Sequence, residues 1–403
     1  MHIILPKKVR SIIAILNHGG FTAHVVGGCV RDMLMGKEPH DWDITTSARP
    51  EQIRELFQIT LETGLKHGTV TVIFEGQLCE ITTWRTDLGY IDHRHPEQVE
   101  FTDSLESDLA RRDFTINAMA FHPDEGITDP FGGMGDISIK LIRSVGDPVE
   151  RFSEDALRML RAIRFSAQLG FDIENQTYHA IKTLHRDIGY ISFERIRIEL
   201  DKIMSSAHPD KIGLIWDTQL STHIFPGIPA FPELMMKACQ APHDRRDPVF
   251  ILSSLFYGAF EQESAEHAGF LLRRLKYDNR TISSVKKVLN AADLLKTPTQ
   301  RNIRCACHLY GVKAAELALS MLSLDHCHQN KGNIDSSLID ELRALRISGT
   351  DLIRSGIDEG REIGIILSLL NLCLYEKPQL NHTDILLLLS EEFRKKLHGN
   401  NLL

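Results

Sequence analysis

The sequence predicts an α+β protein in which a small mixed sheet with helices is followed by an extended all-helical arm. Three observations carry this. Between Phe21 and Thr83, short β-rich runs at residues 23–26, 42–45, 69–74 and 78–83 alternate with helical stretches. After about Asp147 the strand signals stop. Long amphipathic patterns then follow, punctuated by Gly, Pro and Asn near residues 206–209, 225–232, 296–299 and 330–335. The breaks divide the chain into residues 1–147, 148–205, 206–298 and 299–403. No internal repeat or low-complexity tract interrupts this scheme.

Composition bounds the class. The chain has 403 residues, 42% hydrophobic and 25% charged, which is globular and long enough for two to four modules. No apolar run approaches the ~18 residues needed to span a bilayer, and the first twenty residues lack the pattern of a signal peptide. A cytoplasmic protein with no membrane association is expected. Seven scattered cysteines, an odd number, fit reduced thiols. Cys305, Cys307 and His308, with His326, Cys327 and His328 beyond, alternate in a way that points their side chains apart on helices, so no zinc site is expected. The net charge of −8 argues mildly against nucleic-acid binding, but the arginines cluster between Arg143 and Arg197.

The first chemical constellation lies at the start of a predicted strand. In His40-Asp41-Trp42-Asp43-Ile44, side-chain alternation would direct Asp41 and Asp43 to one face, roughly 6–7 Å apart along the strand. That separation suits two magnesium ions ~3.5–4 Å apart, one activating a hydroxyl and one holding a leaving oxygen. Asp-x-Asp alone also describes two solvated acids, and its context strengthens it. Upstream, Val25-Val26 runs into Gly27-Gly28-Cys29-Val30-Arg31-Asp32, a strand, a glycine turn and a helix start. Adjacent glycines admit a phosphate close to the backbone, exposed amides at a helix start favour an anion, and Arg31 adds a guanidinium fork. Glu80, on the run 78–83, is a candidate third acid, or else a cross-strand partner for a base.

These motifs resemble the signature of the class II CCA-adding enzymes and bacterial poly(A) polymerases, within the polymerase β-like nucleotidyltransferase superfamily. The resemblance continues through Arg111-Arg112-Asp113-Phe114-Thr115-Ile116-Asn117-Ala118 and Asp129-Pro130-Phe131-Gly132-Gly133. It extends to the block from Glu154-Asp155 to Arg164-Phe165 and to Ile191-Ser192-x-Glu194-Arg195. The blocks keep the family's order over about the first half of the chain, and the C-terminal half matches loosely. The resemblance implies a head, neck, body and tail in a seahorse-like arrangement, with the tail gripping tRNA. It implies addition of CCA to the tRNA 3′ end from CTP and ATP with Mg2+, and leaves monomer and homodimer open. Adenosine-only addition and poly(A) synthesis are the alternatives within the family. An inactive RNA-binding module and a small-molecule nucleotidyltransferase are the alternatives outside it.

The resemblance also supplies a base-reading helix, and the residues support it. On a helix starting at Ser153, Ala156, Leu160, Ile163 and Ala167 form one stripe while Asp155, Arg158, Arg161 and Arg164 step around the opposite side. Cytosine and adenine each present an amino donor beside a ring-nitrogen acceptor. An ionised Asp only accepts and an Arg only donates, so Asp155 and Arg158 complement that edge, whereas uracil and guanine reverse it. In the family the later arginines bind triphosphate or base, and Arg112 is at the nucleotide. A solvated charged face, or a salt bridge of Arg112 with Asp108 or Asp113, would be the plainer explanation. Residues 85–101 lack apolar periodicity and are expected to form a mobile loop, full length here, with His95 where many members carry arginine. His243-Asp244 is expected to be a loop rather than part of a phosphohydrolase site. Basic residues between 296 and 346 are candidate phosphate contacts or a solvated surface.

Overall fold

The computed structural model describes residues 5–39, 41–64, 68–90, 96–242, 246–260, 262–324, 347–357, 360–376 and 380–399. The chain divides into two compact units, Met1–Phe231 and Pro232–Leu403.

The first unit opens with α1 (Lys7–His18), whose Val9, Ile12, Ile13 and Leu16 recur at helical spacing and are all buried. There follow β1 (Ala23–Val26), α2 (Gly28–Leu34), β2 (Asp43–Thr46), α3 (Pro50–Leu56), β3 (Thr60–Gly64), β4 (Thr69–Phe74) and β5 (Gln77–Thr83). With β8 (Ala120–His122) and β9 (Gly126–Thr128) these strands form one seven-stranded sheet in the order β3-β4-β5-β2-β1-β8-β9. It is mixed, because β2 and β5 run parallel while the other pairs are antiparallel. The predicted α+β class holds. All four strand runs read from the sequence belong to this sheet, with the second starting at Asp43 rather than at Trp42.

Alternation gives the sheet two faces. Ala23, Val25, Ile44, Val70, Val72 and Ile81 join the residues of α1 and Ile53 of α3 in one core. Each fully buried Leu or Ile there contributes ~1.5–3 kcal/mol. Val26 and Ala120 belong to a second cluster with Leu109, Ala118 and Val145. Asp43 and Glu80 are direct partners across the parallel β2–β5 pair, so both lie on the face opposite Ile44 and Ile81.

Residues 85–101 depart from expectation. β6 (Arg85–Tyr90) and β7 (Pro96–Phe101) pair antiparallel as a separate two-stranded ribbon from Arg85↔Phe101 to Tyr90↔Pro96. Backbone pairing needs no apolar alternation, which is why the composition read as a loop. His95 lies outside the described residues.

The first unit continues with α4 (Leu105–Ala110), α5 (Gly133–Ser138), β10 (Leu141–Ile142), α6 (Pro148–Glu154), α7 (Leu157–Leu169), β11 (Asp172–Ile173), α8 (Asn175–Leu184) and α9 (Phe193–Met204). The expectation that strands stop at Asp147 fails at one short place, because β11 pairs parallel with β10. Asp147 caps α6 through bonds accepted from the amides of Val149 and Glu150, with Pro148 at the first position.

In the second unit the described residues form helices only, including Pro248–Ala259, Ser264–Arg274, Asn279–Leu295, Gln300–Tyr310 and Val312–Leu324. Their starts are set locally: Asp247, Asp278 and Thr299 each accept a bond from an amide of the first turn. Cys305 and Cys307 lie on Gln300–Tyr310, while His326, Cys327 and His328 are outside the described residues, as are His243 and Asp244. No cluster of three His, Cys, Asp or Glu able to hold a metal occurs among the described residues, and no disulfide joins the described cysteines. No described helix is long and apolar enough to cross a membrane.

Candidate nucleotide-binding site

The site begins where β1 turns into α2. Gly27 has φ +82° and ψ −131°, a backbone region that side chains avoid, and a Cβ there would lie 2.9 Å from Arg112 Nη1. Arg31 is buried and held: Nη1 donates to Asn117 Oδ1 at 2.8 Å, while Nε and Nη2 donate to Asp32 Oδ1 at 2.9 and 2.7 Å. One hydrogen on each Nη remains available.

Beside this turn stands the acid set. Asp43 begins β2, Glu80 is its register partner on β5, and Asp41 lies in the bend just ahead. The Asp43 carboxyl reaches solvent but is crowded by protein, and this partial desolvation raises its pKa above the usual carboxylate range. Arg112 opposes the rise, while the charges of Glu80 and Asp41 add to it. Asp41 and Glu80 therefore both act electrostatically on Asp43. Carboxylates are the hard oxygen donors that a hard divalent cation takes, and Asp43 with its acidic neighbours offers them, although the three side chains do not converge into one metal-holding cluster.

The third component is a set of arginines ordered by buried acids. Asp113 Oδ2 accepts from Arg161 Nε at 2.7 Å and Nη2 at 2.5 Å, and its Oδ1 accepts from the Phe114 amide and Asn117 Nδ2. Burial alone would raise the Asp113 pKa, but the Arg161 guanidinium and these bonds bring it down to about 2. Arg112 lies 3.6 Å from Asp108, so the simple salt-bridge reading of Arg112 is correct as far as it goes. The same Arg112 also faces Asp43 and lines the cavity.

The expected single helix from Ser153 is instead two helices. Asp155 ends α6 with φ −138° and ψ 102°, and Ser153 lies inside α6, donating from its hydroxyl to the Val149 carbonyl. The Asp155 Oδ1 accepts from the Leu157 amide at 3.0 Å, so it starts α7, and Oδ2 accepts from Arg195 Nη2 at 3.0 Å. Arg158 Nη1 donates to Glu154 Oε2 at 2.6 Å and to the Arg151 carbonyl, and Nη2 donates to the Arg111 carbonyl. Its Nε hydrogen and one Nη2 hydrogen remain. The break turns Asp155 off the helical path but keeps it and Arg158 on the same cavity.

That cavity has a volume of about 390 Å³, within the ~300–1,000 Å³ usual for small-molecule sites. Of the residues singled out in the sequence, Gly28, Arg31, Asp43, Arg112, Asp155, Arg158 and Arg161 line it. Asp41 and Glu80 do not line it and meet it only through Asp43. Arg164 is not in the lining: its buried guanidinium lies 3.2 Å from Glu199 and stacks on the lining residue Phe165 at 4.1 Å. Burial and the neighbouring Arg161 lower its pKa to about 10, with Glu199 opposing. Sequence reasoning assigned no role to Phe165, Asn117 or Arg195, all of which line the cavity. Phe165 lies under Arg31 and Arg161 as well, at 5.4 and 5.5 Å, and so spaces three cations. Each of the three residues sits inside a block already noted, but each also holds a partner far away in the chain: Arg31 for Phe165 and Asn117, and Asp155 for Arg195.

Comparison with known proteins gives the same answer throughout. Residues 23–143 match the family described as "Poly A polymerase head domain", and residues 170–231 match "Probable RNA and SrmB- binding site of polymerase A". The chain is 38% identical over 373 residues to a CCA-adding enzyme of Lactobacillus helveticus, covering 90% of each chain. It is 36% identical over 392 residues to that of Pediococcus pentosaceus, covering 94% of this chain and 96% of the relative. The crystal structure of the Bacillus stearothermophilus CCA-adding enzyme in complex with CTP is similar at TM-score 0.78 and 29% identity, covering 98% of this chain and all of that one. The sheet head, the helical remainder and these similarities agree: the chain belongs to the CCA-adding enzymes, the tRNA nucleotidyltransferases.

Proposed function

We propose that the protein adds cytidine and adenosine without a template to the 3′ end of tRNA, from CTP and ATP, by in-line attack of the 3′ hydroxyl on the α-phosphorus with release of pyrophosphate. The observation that carries the reading is the juxtaposition of the Asp43 acid set with an arginine-lined cavity opening beside Gly27 and Gly28. Nucleotidyltransferases of this family generally use a divalent metal. Asp41 and Asp43, with Glu80 behind them, would hold Mg2+, which when bound lowers the hydroxyl pKa and neutralises leaving charge.

The chain's own residues bind and orient. Gly28 and Arg31 receive the triphosphate, Arg31 through its two remaining hydrogens, with Arg112 and Arg161 completing the positive wall. Asp155 accepts from the exocyclic amino group of cytosine or adenine while Arg158 donates to the ring nitrogen. Arg164 acts at one remove, stacked on Phe165, which in turn supports Arg161. Six arginines line the cavity (Arg31, Arg111, Arg112, Arg158, Arg161, Arg195), and six carboxylates balance them: three in the lining (Asp43, Asp113, Asp155) and three paired just behind (Asp32, Asp108, Glu154). With Asp41 and Glu80 beside Asp43 the carboxylates number eight against six arginines, and a site with that balance takes up a polyanion best together with a cation, which further supports Mg2+.

In this reading residues 1–147 form the catalytic head, 148–205 the base-reading neck, 206–298 the body and 299–403 a tRNA-binding tail. A cytoplasmic location follows from the substrate, and a monomer or a homodimer would serve. The test is extension of tRNA ending at the discriminator base, with CTP, with ATP and with both, and of tRNA already ending in two cytidines. Two additions from CTP alone and three from both are expected. Extension only of the cytidine-ended tRNA would make the enzyme adenosine-specific, and long tails from ATP alone would make it a poly(A) polymerase.

A further inference from the structure

Asp108, within α4, has a fully buried side chain and sits behind the cavity rather than in it. Its Oδ1 accepts from Arg111 Nε at 2.9 Å and from the Arg85 backbone amide at 3.4 Å, and it lies 2.8 Å from Arg111 Nη2. Its Oδ2 accepts from Thr45 Oγ1 at 3.1 Å and lies 3.6 Å from Arg112 Nη2. Four residues from three segments of the head meet on this one carboxylate. Thr45 is two residues beyond Asp43 on β2, Arg85 is the first residue of the β6–β7 ribbon, and Arg111 and Arg112 both line the cavity. A buried charge with this many donors fixes their relative positions, because each donor that shifts leaves part of the charge unsatisfied.

We infer that Asp108 is a positioning residue for nucleotide binding, holding Arg111 and Arg112 in register with the Asp43 strand and anchoring the root of the ribbon to the same point. The inference rests on the reading of the cavity as the nucleotide site. Asp108→Asn tests it with little change of shape. The amide keeps one acceptor oxygen but turns an N–H2 group toward either Arg111 or the Thr45 and Arg112 side, so one arginine loses its anchor.

The measurements are KM for CTP and ATP, KM for tRNA, kcat and the thermal midpoint, for Asp108→Asn, Arg112→Ala and the combination. Loss of an anchoring charged hydrogen bond predicts a rise of about tenfold to hundredfold in nucleotide KM for Asp108→Asn, with tRNA KM moving less than about threefold. On the Arg112→Ala background the same substitution should add less than it does alone, since much of its effect passes through Arg112. Thr45→Val, isosteric and leaving the carboxylate intact, should raise nucleotide KM a few-fold and keeps the test open should Asp108→Asn fold poorly. A lowered thermal midpoint with unchanged nucleotide KM in Asp108→Asn or Thr45→Val, while Arg112→Ala raises KM, would overturn the inference and leave the cavity reading standing. Unchanged KM in all variants, Arg112→Ala included, would remove the cavity reading and the inference with it.

Discussion

Asp155 carries two loads that one substitution separates. In the structure Oδ1 accepts from the Leu157 amide at the start of α7, and Oδ2 pairs with Arg195, the two side chains being 18% and 25% exposed. Asp155→Asn keeps the shape and the acceptor for Leu157, so the helix start survives. It replaces the acceptor facing Arg195 with a donor or loses the charge of that pair. For a partly buried pair this costs about 1–2 kcal/mol, between the surface and buried limits, which lowers the thermal midpoint by about 2–8 °C for a unit of this size. The effect on base choice is larger. A carboxylate repels the O4 carbonyl of uracil, whereas an amide donates to it, so much of the discrimination against UTP disappears. From a ceiling of about 10⁴-fold, UTP discrimination should fall by about 10²-fold or more. The assay is kcat/KM for CTP, ATP, UTP and GTP on tRNA lacking its 3′ end. The expected drop in midpoint with an unchanged UTP to CTP ratio would show that Asp155 is only a helix start and that the base is read elsewhere.

Other expectations follow from the same geometry. Gly27→Ala forces a side chain into φ +82° and sets a Cβ 2.9 Å from Arg112 Nη1, so nucleotide KM should rise about tenfold, and steady-state kinetics at saturating tRNA would detect it. Asp113 has a folded pKa of about 2 against a reference of 3.8, so its contribution, about 2 kcal/mol, is fully present above the unfolded value and is lost as pH falls through 3.8 toward 2. Urea unfolding of wild type and Asp113→Asn at pH 3 and pH 6 should differ by less at the lower pH. His24 is buried, and burial, followed by the neighbouring His122, lowers its pKa below 6.5 against the opposing pull of Glu125. Its neutral form is favoured in the folded state, so stability is present above pH 6.5 and declines as pH falls below it. The decline should flatten in His24→Leu, and an equally steep profile would remove His24 as its source.

Legibility in the sequence followed the range of the interactions. Gly27, Gly28, Arg31, Asp41 and Asp43 stood out because phosphate approach and cation binding require particular residue types within a few positions. The pairing of Asp43 with Glu80 was only a candidate, because it depends on β2 and β5 lying parallel and adjacent, with two strands between them in the chain. The break at Asp155 was invisible, since Ala156, Leu160, Ile163 and Ala167 keep helical spacing from its edge onward and all four are buried. What stops α6 is the side-chain bond to the Leu157 amide and the long-range pair with Arg195. The arginines of α7 read as nucleotide ligands with a solvated face as the alternative, and neither reading foresaw that Arg158 and Arg164 are buried with Glu154 and Glu199 paired to them. The ribbon at residues 85–101 escaped notice for the reason its strands hold together, backbone bonds with no apolar pattern behind them.

The central claim is that the acids at the start of β2 and the arginine-lined cavity serve one cation-bound nucleotide. Equilibrium binding of CTP with and without Mg2+, in wild type, Asp41→Ala and Asp43→Ala, tests it most directly when paired with nucleotide incorporation on the same samples. The account predicts that Mg2+ strengthens CTP binding in wild type, that either substitution abolishes this gain together with incorporation, and that tRNA binding persists. Incorporation at wild-type rates by either variant, or CTP binding that ignores Mg2+ throughout, would contradict it.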